Sequence, residues 1–141
     1  MTYRKLNGTD LNLSILGMGC WAIGKKYWGD DVDDATSVAA IHKALDLGIN
    51  WFDTAPLYGD GHSDTLLKQA LSKTTTPHYI ASKVGILNPG PSGHAESKLT
   101  ATHIRTDVES SLRRLDRLTL ISCRCTGPAN TGPHMKKHLP S

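Results

Sequence analysis

The chain has 141 residues, 38% of them hydrophobic and 21% charged, which suits one modest globular domain with a core of its own. Its net charge of +3 is spread along the chain apart from Arg113-Arg114 and Lys136-Lys137, so nothing in it calls for a nucleic-acid partner. No apolar run approaches the roughly 18 residues of a membrane span, Met1-Thr2-Tyr3-Arg4-Lys5 leads into Asn7-Gly8 rather than an apolar signal core, and three cysteines (Cys20, Cys123, Cys125) make no disulfide framework, so a cytoplasmic protein is expected.

In chain order, Tyr3 to Leu6 and Leu11 to Leu13 flank Asn7-Gly8-Thr9-Asp10. Asn-Gly favours the positive φ of a tight hairpin turn, so a β-hairpin is predicted. Ser14 to Trp21 reads as a short buried strand running into glycines. The acids Asp30, Asp31, Asp33 and Asp34 suit a helix start, where the dipole favours negative charge. The helix itself is predicted from Asp34 to Leu47, with Val38, Ala39, Ile41, Ala44 and Leu45 on its apolar face and Gly48 as its stop.

Ile49 to Thr54 is the next strand. Ser63 is placed as the cap of a helix with Leu66, Leu67, Ala70 and Leu71 on its inner face. His78 to Val84 is a third strand, followed by a Gly/Pro/Ser-rich loop from Asn88 to Gly93. Thr102 opens a helix with Ile104, Val108, Leu112 and Leu115 along one side. Strands alternating with helices imply a parallel sheet with right-handed crossovers, in either an open doubly wound sheet or a (β/α) barrel.

Gly17-Met18-Gly19-Cys20-Trp21-Ala22 matches the permissive dinucleotide fingerprint G-x-G-x-x-A, but Gly24 and a polar loop follow where a helix should open. Tight turning at a strand end accounts for these glycines better. At the C-terminal ends of barrel strands, functional residues collect. Asp53 and Lys83 hold that position on consecutive strands, and Tyr58 lies just past the first, so the three form a candidate proton-transfer site.

The stretches Tyr3-Arg4-Lys5-Leu6, Leu16 to Trp21, Ala44 to Gly59 with Asp53-Thr54-Ala55 and Tyr58-Gly59, Ala81 to Gly85, and Val108 to Leu115 together resemble the N-terminal half of an aldo/keto reductase. The resemblance runs from about residue 2 to about residue 116 and departs at Asp64, where the family usually has Glu. It implies an α/β fold: the N-terminal part of a (β/α)8 TIM barrel preceded by a β-hairpin, an incomplete barrel because a full one takes about 250 residues. It further implies an oxidoreductase that moves hydride between NADP(H) and a small carbonyl or sugar-like substrate. Tyr58 is then similar to the general acid, Lys83 stabilises its phenolate, and Asp53 orients Lys83. Gly19, Cys20, Trp21 and Asp53 would touch the nicotinamide end of the cofactor, and no metal is implied.

After Leu115 the family continues with a strand ending in His-Trp-Pro, whose histidine is the fourth site residue. This chain reads Ser122-Cys123-Arg124-Cys125-Thr126-Gly127-Pro128 instead. A zinc site from Cys123, Cys125, His134 and His138 fits poorly, since the cysteines are too close together. Shifted by one frame, codons for Cys123 to Pro128 can spell Gln-Val-His-Trp-Pro, and those for His134 to His138 can spell Tyr-Glu-Glu followed by Thr or Ala. The stretch 117–141 is therefore expected to be an irregular non-family tail, the out-of-frame product of a frameshift near codons 115–118. The alternative function that follows is a catalytically inactive truncated fragment.

Overall fold

The computed structural model describes residues 1–25, 32–87, 96–117, 120 and 122–125. The chain opens with the expected hairpin: β1 (Tyr3–Lys5) pairs antiparallel with β2 (Asn12–Ser14). Strand β3 is only Met18–Gly19, shorter than the predicted buried strand, and Ile15 and Leu16 ahead of it are exposed. A single 3-10 turn, Ala22–Gly24, follows. The dinucleotide fingerprint thus opens no α-helix. Gly17 instead makes room for a ring, because a Cβ there would lie 2.3 Å from the Trp51 indole.

Helix α1 (Asp34–Asp46) is capped by Asp33, whose carboxylate accepts from the Thr36 N–H at 2.8 Å. It buries Ser37, Ile41 and Ala44. Strand β4 (Trp51–Asp53) leads to α2 (His62–Leu71), whose inner face of Leu66, Leu67, Ala70 and Leu71 is as predicted. Its cap is not. Gly61 precedes the helix without a side-chain cap, and Ser63 lies inside it, fully buried. The Ser63 hydroxyl is drawn away from the helix end by the Cys20 carbonyl, to which it donates at 3.0 Å.

Strand β5 (Tyr79–Val84) alternates half-buried and buried residues, as a strand covered on one face by helices must. The short pair β6 (Ile86–Leu87) and β7 (Glu96–Ser97) forms an antiparallel ribbon that the sequence reading did not include. The loop predicted at Asn88 to Gly93 lies outside the described residues. Helix α3 (Ala101–Leu115) starts one residue earlier than expected, with Thr100 accepting from the His103 N–H at 3.3 Å. Finally β8 (Ser122–Cys125) pairs parallel with β5.

That last strand corrects the expectation of an irregular tail for these four residues. Open β5 backbone groups offer a ladder, and a strand satisfies more of its own polar groups by taking it than by staying irregular. His134, His138 and the remainder of the tail lie outside the described residues.

The main sheet runs β3-β4-β5-β8, all parallel. The core lies between this sheet and the helices, with Phe52, Ile41, Leu66, Leu67 and Cys20 almost wholly shielded from solvent. The result is part of a (β/α)8 barrel, and the four strands do not close on themselves.

Candidate active site

Asp53 is the last residue of β4, and Lys83 stands near the end of β5. The parallel register sets Gly19 beside Asp53 and Asp53 beside Ala81, so Lys83 lies one alternation further along on the Asp53 side. Lys83 Nζ donates to Asp53 Oδ2 at 2.7 Å and to the Thr54 carbonyl at 3.1 Å. The pair is half sheltered, with the lysine side chain 12% and the carboxylate 25% exposed. A short charge-assisted bond in such a place holds both groups in one orientation.

Tyr58 is carried on the loop between β4 and α2. Its ring lies under the ammonium, with Lys83 Nζ 4.8 Å from the ring centroid. Trp21 also stacks on it, at 6.2 Å between centroids and 22° between planes. The loop is seated by backbone against backbone. A Cβ on Gly59 would fall 2.1 Å from the Gly24 carbonyl oxygen, and one on Gly24 would fall 2.7 Å from the Tyr58 carbonyl carbon. Only glycines allow this approach, and Gly59 also holds φ at +61°.

Asp53, Tyr58 and Lys83 are thus brought together as the strand-end spacing predicts. Gly19 is exposed, with open space where a Cβ would be, and Trp21 is 48% exposed. Cys20 differs from the expectation. Its side chain is fully buried, because a small soft thiol packs well in a core. Burial, with Asp53 and Asp64 adding to it, pushes the thiol pKa up to about 12.

Beneath the three lies a buried polar layer that the sequence reading missed. Thr54, Ser63 and Asp64 are all at 0% exposure, and Ser111 is at 1%. Asp64 Oδ1 lies 2.8 Å from the Thr54 hydroxyl, and Asp64 Oδ2 accepts from Arg114 Nε at 3.0 Å. The Asp64 departure from the family's usual Glu was the one available signal, since it sits three residues past the Gly59 and Gly61 turn. Among the described residues, no group of three His, Cys, Asp or Glu is placed to hold a metal, and no helix is long and apolar enough to cross a membrane.

A parallel strand–helix array with an acid and a lysine at its strand ends, and a phenol on the loop that follows, is part of a (β/α)8 barrel. Residues 15–130 match the Aldo/keto reductase family, to which this chain belongs. It is 32% identical over 115 residues to the aldo-keto reductase YhdN of Bacillus subtilis, covering 82% of this chain and 34% of that one. It is 35% identical over 120 residues to the NADH-specific methylglyoxal reductase of Escherichia coli, covering 78% of this chain and 37% of that one. The glycerol dehydrogenase structure from Gluconobacter oxydans superposes with a TM-score of 0.76 at 36% identity, over 87% of this chain and 38% of that chain. The chain therefore spans about a third of the length of the curated relatives it matches.

Proposed function

We propose that Asp53, Lys83 and Tyr58 are the proton-handling part of an NADP(H)-dependent reductase of small carbonyl compounds. The observation that carries this reading is the position of Lys83 Nζ, bound to Asp53 Oδ2 at 2.7 Å and 4.8 Å from the Tyr58 ring centroid. The residues at the site fit the nicotinamide end of the cofactor. Gly19 leaves open space at the strand end, Trp21 is half exposed, and Asp53 pairs in register with Gly19. When bound, the cofactor supplies the hydride.

The protein's own part is the proton. Tyr58 Oη gives its hydrogen to the carbonyl oxygen of the substrate as charge develops there, and it becomes a phenolate. Lys83 stabilises that phenolate by its positive charge. Its ammonium has three N–H groups; Asp53 and the Thr54 carbonyl take two, and the ammonium lies over the Tyr58 ring, 4.8 Å from its centroid, where its charge favours the phenolate. Asp53 keeps the lysine charged and aimed. General-acid assistance of this kind contributes about 10²–10⁴-fold in rate.

A second reading has its own observation. The described strand β8, Ser122–Cys125, carries no histidine, and Thr126 follows it where the resemblance puts one. In that reading the 141-residue chain is a non-catalytic product of a shifted frame. Losing one donor to a developing oxyanion costs about 10²–10³ in rate. Titrating the chain with NADPH by fluorescence, then adding a test aldehyde, separates the two. Saturable binding with turnover supports the reductase, and the absence of both supports the inactive fragment.

A further inference from the structure

The buried layer under the site contains a run of contacts whose hydrogens can be counted. Ser63 Oγ lies 3.0 Å from the Cys20 carbonyl oxygen. Thr54 Oγ1 lies 3.0 Å from Ser63 Oγ and 2.8 Å from Asp64 Oδ1. Each of these contacts needs one hydrogen. The Cys20 carbonyl has none to give, and each hydroxyl has a single one.

With Asp64 ionised, Thr54 gives its hydrogen to Oδ1. The one hydrogen of Ser63 then has to serve both Thr54 Oγ1 and the Cys20 carbonyl. Thr54, Ser63 and Asp64 are at 0% exposure, so bulk water cannot supply the missing donor. A proton on Asp64 Oδ1 closes the count. Asp64 then donates to Thr54, Thr54 to Ser63, and Ser63 to the Cys20 carbonyl, each hydrogen used once.

The other carboxyl oxygen keeps its role. Oδ2 still accepts from Arg114 Nε at 3.0 Å, while the Arg114 terminal nitrogen turns to Ser111 Oγ at 3.1 Å. Arg114 therefore gives Asp64 an ion pair through one N–H, not the two-pronged fork that would hold a carboxylate most strongly, and the Ser111 hydroxyl adds a further donor. The groups bearing on Asp64 are Arg114 and Ser111 from α3, Thr54 from the end of β4, and the Cys20 thiol from the end of β3. Burial raises the Asp64 pKa above its usual value by more than Thr54, Arg114 and Ser111 lower it.

We propose that Asp64 is held un-ionised in the folded chain and acts as a positioning residue, starting a one-way hydrogen-bond chain that fixes the backbone around Asp53 and Lys83. The chain reaches the site at two places. The Thr54 carbonyl is the second acceptor of Lys83 Nζ, at 3.1 Å. Cys20, whose carbonyl ends the chain, donates its own N–H to the Asp53 carbonyl at 2.9 Å. This role for Asp64 rests on the reading of Asp53, Lys83 and Tyr58 as the reactive group. The proton itself does not, so it is tested without catalysis.

Infrared difference spectroscopy of the 141-residue chain against Asp64→Asn, near neutral pH, gives the answer. An amide at this position can donate to Thr54 and accept from Arg114, so it copies the un-ionised acid. The expected result is a carbonyl stretch of an un-ionised carboxyl that shifts on deuteration and is absent from Asp64→Asn. Carbon-13 titration of labelled aspartate in the unsubstituted chain needs no variant, and it should show one carboxyl without the usual step near about pH 4. A spectrum with no un-ionised carboxyl near neutral pH, or an Asp64 signal that titrates normally, overturns the proposal. An un-ionised Asp64 in a chain without turnover would leave the proton standing and remove only its catalytic purpose.

Discussion

Lys83 joins the site together, since one ammonium is shared by Asp53, the Thr54 carbonyl and the face of Tyr58. Lys83→Met keeps the apolar stem and removes the charge. It should leave the fold standing and reduce aldehyde turnover by about 10²-fold or more, because the phenolate loses its cation. A turnover within a factor of two of the parent chain would contradict this role. Cys20 gives a second residue-scale prediction. A thiol raised to about 12 stays protonated near neutral pH, so Cys20 should resist iodoacetamide in the folded chain and react after denaturation, as peptide mass spectrometry would report.

His78 supplies the pH dependence. Burial, with the nearby Arg117, lowers its pKa below 6.5. Its ring nitrogen Nδ1 contacts the Thr76 carbonyl at 2.7 Å, and Nε2 faces the Arg117 guanidinium. The unfolded chain accepts a proton here at a pH where the folded chain does not. The contribution to stability is therefore present above about pH 6.5 and is lost as pH falls below it. Thermal melts should show Tm falling across this range, and His78→Gln should flatten the fall. Asp33 and Asp34, whose pKa values are lowered by their hydrogen bonds, act in a separate and lower window, below 3.8.

At the scale of the element, the loop from β4 to α2 matters most, because it carries Tyr58 on a backbone contact. Gly59→Ala puts a Cβ 2.1 Å from the Gly24 oxygen at a φ of +61°. The loop must shift, at a cost of about 1–3 kcal/mol, and Tyr58 moves with it. Denaturant melts and turnover should both fall, whereas Thr100→Ala at the start of α3 should cost about 1 kcal/mol and leave the site alone. The helices were legible from apolar spacing, and Asp53 and Lys83 from their place at strand ends. Ser63 was misread because capping chemistry and buried hydrogen bonding use the same residue types, and only the fold brings the Cys20 carbonyl within its reach. The β6–β7 ribbon was missed because two-residue strands carry no period. Strand β8 was missed because its pairing comes from the open edge of β5 and not from its own composition.

For the whole molecule, the four-stranded sheet ends in β3 on one side and β8 on the other. Ile15, Leu16 and Trp21 near the β3 edge are about half exposed, at 53%, 58% and 48%. Open strand edges beside apolar side chains promote association. Light scattering of the chain should rise with concentration, and a monomer at all concentrations would count against the open-sheet description. The family is legible in this fold even though the chain covers about a third of its curated relatives. The reductase reading itself is tested most directly by Tyr58→Phe, assayed as NADPH oxidation with a small aldehyde. That substitution removes one oxygen and leaves the ring's contacts with Trp21 and Lys83. If Tyr58 is the proton donor, cofactor binding persists and turnover falls by about 10²–10⁴-fold; turnover equal to that of the unsubstituted chain would contradict the assignment.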